Sequence, residues 1–144
     1  MERAPELRPL SRDHHQALVA SLKLRRADER TAAEAVAHFQ GFWRGHGERH
    51  FEIEEAVLLP GYVRGGGDPR HELVARVLTD HVEIRAAARG LGPGAEPAEL
   101  RRLGERLAAH VRLEEDELFP LIERELDPEE LAALGAELER AEAG

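Results

Sequence analysis

Two copies of one residue pattern carry the chemistry of this chain. The first is His50-Phe-Glu-Ile-Glu54-Glu55, with Pro60 beyond it, and the second is His110-Val-Arg-Leu-Glu114-Glu115, with Pro120 beyond it. A lone histidine precedes each, His15 in the first half and His81 in the second. Residues four apart on an α-helix lie one turn apart on the same face, so His-x-x-x-Glu presents an imidazole nitrogen and a carboxylate to one volume. Two such pairs from facing helices, joined by single histidines from two others, surround a space between the helix axes. Bidentate or bridging carboxylates can link two metal ions there.

These residues occupy positions where a helical core expects leucine. Leu100, Leu103, Leu107, His110, Glu114, Leu118 and Leu121 advance by three or four residues, as do Phe39, Phe42, Trp43, His46, His50, Ile53, Glu54 and Val57. Val74, Val77, Leu78, His81, Ile84 and Ala88 form a third stripe, and His15, Leu18 and Leu22 a fourth. A buried, ionised glutamate without a partner costs several kcal/mol or takes up a proton. Glu54 and Glu114 among inward histidines therefore imply a compensating cation, most economically a pair of metal ions.

The elements that must position these groups are marked by caps and breakers. Ser11 is a candidate N-cap for a helix to about Ala27, and Thr31 with Glu34 forms a capping box for a second that Pro60-Gly61 closes near Leu59. Asp68-Pro69 opens a third, ending near Gly90, and a Gly/Pro-rich linker leads into a fourth from about Ala98 to Leu126. Asp127-Pro128 with Glu130 starts a short fifth helix with a Leu131, Leu134, Leu138 stripe. Strand signals are missing. The expectation is an all-α, up-down-up-down four-helix bundle, core about 10–126, with an additional C-terminal helix at about 128–142, all one domain over 1–144.

Composition narrows the chemistry. The absence of cysteine excludes disulfides, thiolate zinc sites and iron–sulfur clusters, leaving nitrogen and oxygen donors. Twenty basic residues against 29 acidic ones, a net charge of −9, repel nucleic acid and anionic lipid, so neither is an expected partner. No apolar run is long enough to span a membrane, and the opening Met-Glu-Arg-Ala-Pro-Glu lacks the apolar core of a signal peptide. A soluble, cytoplasmic protein is expected.

The duplicated pattern resembles the hemerythrin-like proteins, with their HHE cation-binding domain, over about residues 10 to 122. The resemblance implies a non-haem centre of two iron ions with oxo or hydroxo and carboxylate bridges. Carried onto this chain, it assigns His15, His50, His81 and His110 as imidazole ligands and Glu54 and Glu114 as bridging carboxylates. Zinc or manganese suits the same donors.

Other histidines compete for roles. His46, one turn before His50, extends the row to His46, His50, Glu54 and is a candidate seventh ligand that would make the two metal positions inequivalent, although Gly45 and Gly47 beside it can distort the helix. The family's oxygen carriers place their extra histidine on a different helix, where this chain has Val77. His14 is the alternative to His15, which deviates less from the Leu18–Leu22 stripe. His71 is expected to be exposed and His38 to lie at the rim. Glu55 and Glu115, rotated by about 100° from the ligand glutamates, are expected to face solvent or a neighbouring helix.

Three functions follow from such a centre. A binding protein would take dioxygen or nitric oxide for carriage, buffering or sensing, as a monomer or homodimer, with a redox partner to reduce the metal. An oxidase- or peroxidase-type enzyme, or an iron-handling or iron-responsive protein, is the alternative. Mostly neutral imidazoles stabilise ferric and high-valent states less than the glutamate-rich sets of ferritin-like oxidases, which favours reversible binding over catalysis.

Overall fold

The computed structural model describes residues 2–144, among which five helices and no strand occur. A 3-10 turn, Pro5–Leu7, leads into α1, Arg8–Arg25. Helix α2 occupies 32–64 and contains two widened π turns, Trp43–Gly47 and Glu54–Leu58. Helix α3 is Glu72–Gly90, α4 occupies 97–125 with a π turn at Glu114–Leu118, and α5 is Pro128–Ala143. Helix α1 packs on α2 and α4, α3 packs on α4, and α5 covers the end of the bundle beside Pro5–Leu7. This is the expected all-α bundle with its extra helix. No helix of the described residues is long and apolar enough to cross a membrane.

Several boundaries differ from the sequence expectation, each for a local reason. Helix α1 begins at Arg8 with proline in its first turn, a residue whose fixed φ suits that position; Ser11 lies inside the helix and its hydroxyl donates to Glu115 at 2.7 Å. The Thr31 capping box does not form, because the Thr31 hydroxyl accepts the Asp28 N–H at 3.1 Å while Asp28 accepts those of Arg30 and Thr31. Asp68 is spent in the same kind of turn on the Arg70 N–H, so α3 is capped by His71, whose Nδ1 accepts the Leu73 N–H at 3.0 Å. Asp127 caps α5 as its Asp-Pro signature predicts, accepting the Glu130 N–H at 2.8 Å.

Pro60 does not close α2, which runs on to Arg64. Proline in a helix interior normally loses one hydrogen bond and clashes with the preceding turn. Here that turn is widened: the Leu59 N–H reaches back five residues to the Glu54 carbonyl. The Phe119 N–H does the same to Glu114, just before Pro120. Each ligand-candidate glutamate thus opens a π turn that accommodates the proline after it, a distortion common at functional positions.

The core consists of two apolar layers with a polar one between them. Leu7 of the 3-10 turn and Leu10 of α1 belong to one layer and Ala17, Ala20 and Leu24 of α1 to the other, with His14 between; on α3, Val74 and Val77 are separated from Ile84 by His81. On α4, His110 and Glu114 divide Leu100, Leu103 and Leu107 from Leu118 and Leu121. The expected α1 stripe is corrected: Leu18 and Leu22 are each 39% exposed, and the helix turns Ala17, Ala20 and Ser21 inward. Small residues are needed there because α4 comes close at Gly104, where a Cβ would sit 2.8 Å from the Ser21 carbonyl oxygen and 2.9 Å from the Arg25 nitrogen. The Ser21 hydroxyl donates to the Gly104 carbonyl across this contact at 2.7 Å.

Candidate metal centre

Six ionisable side chains fill the polar layer: His14, His50, Glu54, His81, His110 and Glu114, none more than 6% exposed. Their donor atoms fall into two sets, His14, His50, Glu54, Glu114 and Glu54, His81, His110, Glu114, within each of which every atom lies within 4.8 Å of the others. Both glutamates belong to both sets. Each set therefore offers two imidazoles and two carboxylates from both halves of the chain.

The expectation for α1 is corrected from His15 to its alternative, His14. His14 faces the polar layer with Nε2 2.7 Å from Glu114 Oε1, whereas His15 is exposed, as follows from the rotation of α1 that buries its small residues. A sequence signal for this exists in the dipeptide Asp13-His14, which recurs as Asp80-His81. His46 is not brought to the centre either. It lies in the π turn Trp43–Gly47, where the Glu48 N–H reaches back to the Trp43 carbonyl, and the inserted width carries it off the row of His50 and Glu54 to the surface. The buried donor set is thereby symmetric rather than unequal.

Every imidazole of the centre has its Nδ1 on a carboxylate. Glu115 lies 2.6 Å from that of His14 and Glu55 2.6 Å from that of His81, while Asp13 lies 3.0 Å from that of His50 and Asp80 2.9 Å from that of His110. An acidic partner on one ring nitrogen sets the tautomer and aims the other nitrogen inward. These partners are themselves held: Arg85 donates to both oxygens of Glu55 at 2.7 and 3.0 Å, and Ser11 and Arg3 hold Glu115. Along the chain, Glu55 and Glu115 are expected to face solvent or a neighbouring helix, and beyond their recurrence before His14 and His81, Asp13 and Asp80 carry no signal of a role. Phenylalanine rings back the two single histidines, Phe51 stacked on His81 at 3.8 Å between centroids and Phe119 on His14 at 5.4 Å.

The atoms facing inward suit a cation. Nε2 of His50 lies 3.0 Å from Glu54 Oε2, and Nε2 of His110 lies 3.1 Å from Glu114 Oε2, yet all four atoms are buried without a hydrogen bond. Donors and acceptors so close that do not bond to each other are aimed at a common point. Buried polar groups left in this way cost free energy that a coordinated cation offsets.

Without a cation the charges pull one another's protonation. Burial alone would depress His110, but the negative charge of Glu114 and the hydrogen bond to Asp80 lift it to about 10. His81 is lifted against burial to about 9 by Glu114 and Glu54. Burial likewise opposes, and the neighbouring carboxylates outweigh it, in raising His14 and, further, His50. Glu114 is held well below the usual carboxylate range, against the effect of burial, by His110, His14 and His50.

A small cavity of about 20 Å³ touches the centre. It borders both imidazoles of the first set, His14 and His50, but only His110 of the second, and its walls include Ala17, Trp43 and Leu107.

No match was found among curated proteins or among solved structures. The hemerythrin HHE cation binding domain matches residues 9–122, the stretch that contributes all six inward donors. The chain belongs to the hemerythrin HHE cation-binding domain family.

Proposed function

We propose that this chain holds two iron ions, one in each donor set, and binds dioxygen or nitric oxide beside them for carriage, buffering or sensing. The observation that carries the reading is that both donor sets share Glu54 and Glu114, as two bridging carboxylates would require. Iron is preferred on the family and on a donor set of imidazole and carboxylate without thiolate, which zinc or manganese also suits. When bound, the metal pair supplies electrons and open coordination positions to a small ligand.

The chain's own residues do the rest. Asp13, Glu55, Asp80 and Glu115 orient the four imidazoles, and the two apolar layers exclude bulk water. The cavity beside His14 and His50 has room for about one water-sized molecule, since one probe sphere needs about 10–15 Å³. Walls of Ala17, Phe42, Trp43, Phe51, Leu107 and Val111 favour an apolar diatomic over water. Its position on the first donor set gives the two metal positions unequal surroundings even though their ligands match.

The test is to reduce the iron-loaded protein without oxygen, then admit dioxygen or nitric oxide while recording metal content and visible spectrum. A band that appears with the gas and vanishes on its removal supports carriage or sensing. Immediate irreversible oxidation points to the oxidase or iron-handling alternative, and a colourless protein that retains only zinc sinks both.

A further inference from the structure

The buried centre takes four of the eight histidines, and His71 caps α3. The other three, His15, His38 and His46, all line one open groove between α1 and α2, with a volume of about 590 Å³. They come from two helices and three separate turns, so no single helical period accounts for the gathering. The small residues Ala37 and Gly41 line the groove with them. Nδ1 of His38 is buried and has no hydrogen-bond partner.

The chemistry of this groove differs from that of the centre. Its lining contains three imidazoles and no carboxylate, a donor set that suits divalent first-row transition ions and not the oxygen-seeking calcium or magnesium. The three rings do not converge as the six buried donors do, so the groove suits capture and release of an ion rather than its retention. Phe42 and His46 line both this groove and the inner cavity that reaches Asp13, His14 and His50. The side chain of Asp13 is 26% exposed, lies 3.0 Å from His50, and shares the wall of the inner cavity with His46.

We propose that His15, His38 and His46 form a surface capture site for a divalent transition metal ion, which then passes His46 and Asp13 into the buried centre. The inference rests on the cation-binding reading of that centre. It gives the π turn Trp43–Gly47 a purpose: the distortion that removes His46 from the row of ligands stations it between groove and cavity.

Nickel(II) added to zinc-filled protein provides the first test, read by the imidazole resonances. Broadening of His15, His38 and His46 before His71 is expected, together with a weak binding event beyond those of the filled centre. The second test follows cobalt(II) uptake by metal-free protein through its visible absorbance. The variant H15Q/H38Q/H46Q is expected to lose the nickel event and the fast phase of cobalt loading while reaching the same final cobalt content. H46Q alone slows loading but leaves the nickel signals at His15 and His38. Undisturbed resonances at the three histidines, or wild-type loading by the triple variant, overturns the capture site while the centre still fills. Wild-type protein that takes up no cobalt at all overturns the centre and this inference together.

Discussion

Nδ1 of His14 lies 2.6 Å from Glu115 and Nδ1 of His81 lies 2.6 Å from Glu55, so the second glutamate of each Glu-Glu pair holds the single histidine contributed by the other half of the chain. The first glutamate of the same pair meets the same ring at Nε2, at 2.7 Å for His14 and 3.0 Å for His81. The glutamates of one half therefore grip the histidine of the other, and neither half could complete a donor set alone.

This cross-grip predicts that E55Q and E115Q each weaken metal binding by about 10- to 100-fold, the usual effect of losing an acidic partner behind a ligand histidine. Helical content should stay at the wild-type level by circular dichroism. Competition against a chelator measures the affinity, and wild-type affinity in both variants would remove the role assigned to these glutamates.

The choice between neighbouring histidines is equally direct. H14A is expected to lose metal from at least the first donor set, whereas H15A keeps the full equilibrium content, as measured by elemental analysis after dialysis. The reverse result would place α1 a turn of about 100° away from its position here.

The metal-free chain should have an unusual pH profile. His81 and His110, at about 9 and about 10, lie above an unfolded imidazole near 6.5, so their contribution to stability is full below about pH 6.5 and is lost as the pH rises through those values. Glu114, depressed when folded, contributes above the ordinary carboxylate range and loses its contribution as the pH falls through its lowered value. Thermal scans should therefore show the metal-free Tm falling from about pH 6.5 toward pH 10. Metal needs neutral imidazoles, so uptake should release protons and tighten over the same window. A metal-free Tm that climbs from pH 6.5 to 10 would contradict these charge states.

At the α1–α4 contact, G104A sets helix propensity against sterics. Alanine gains up to about 1 kcal/mol in a helix interior, but its Cβ would press on backbone atoms of Ser21 and Arg25 at 2.8 and 2.9 Å, which cannot swing aside. Overpacking costs about 1–3 kcal/mol, so net destabilisation is expected, visible as a lower urea midpoint with an unchanged slope.

The cavity offers a test of ligand access separate from metal binding. A17V should fill much of its roughly 20 Å³, leaving metal content intact while lowering the affinity for dioxygen or nitric oxide. Unchanged gas binding at full metal content would show that the ligand sits elsewhere.

Much of this was legible in the chain because helical periodicity is a local property. The stripe of α4, from Leu100 to Leu121 through His110 and Glu114, is buried at every expected position, since each residue's face follows from its neighbours along one axis. The stripe of α1 is not legible in this way, because Leu18 and Leu22 are larger than Ala17, Ala20 and Ser21. Hydropathy ranks the leucines inward, but the close approach of Gly104 leaves room only for the small residues. The same rotation decides between His14 and His15. Likewise Pro60 reads as a stop until the widened turn opened at Glu54 is seen to absorb it.

Legible along the chain alone are an all-helical fold, the absence of thiolate chemistry, and five of the six buried donors: His50, Glu54, His81, His110 and Glu114. These depend on residue type and on spacing along single helices. The assembled bundle is needed to place His14 inward and His46 outside, and to set Asp13, Glu55, Asp80 and Glu115 behind the four imidazoles. Those relationships depend on how far one helix is rotated and how closely it meets another. Packing sets both, and along the chain only the recurrence of Asp13-His14 as Asp80-His81 hints at the rotation of α1.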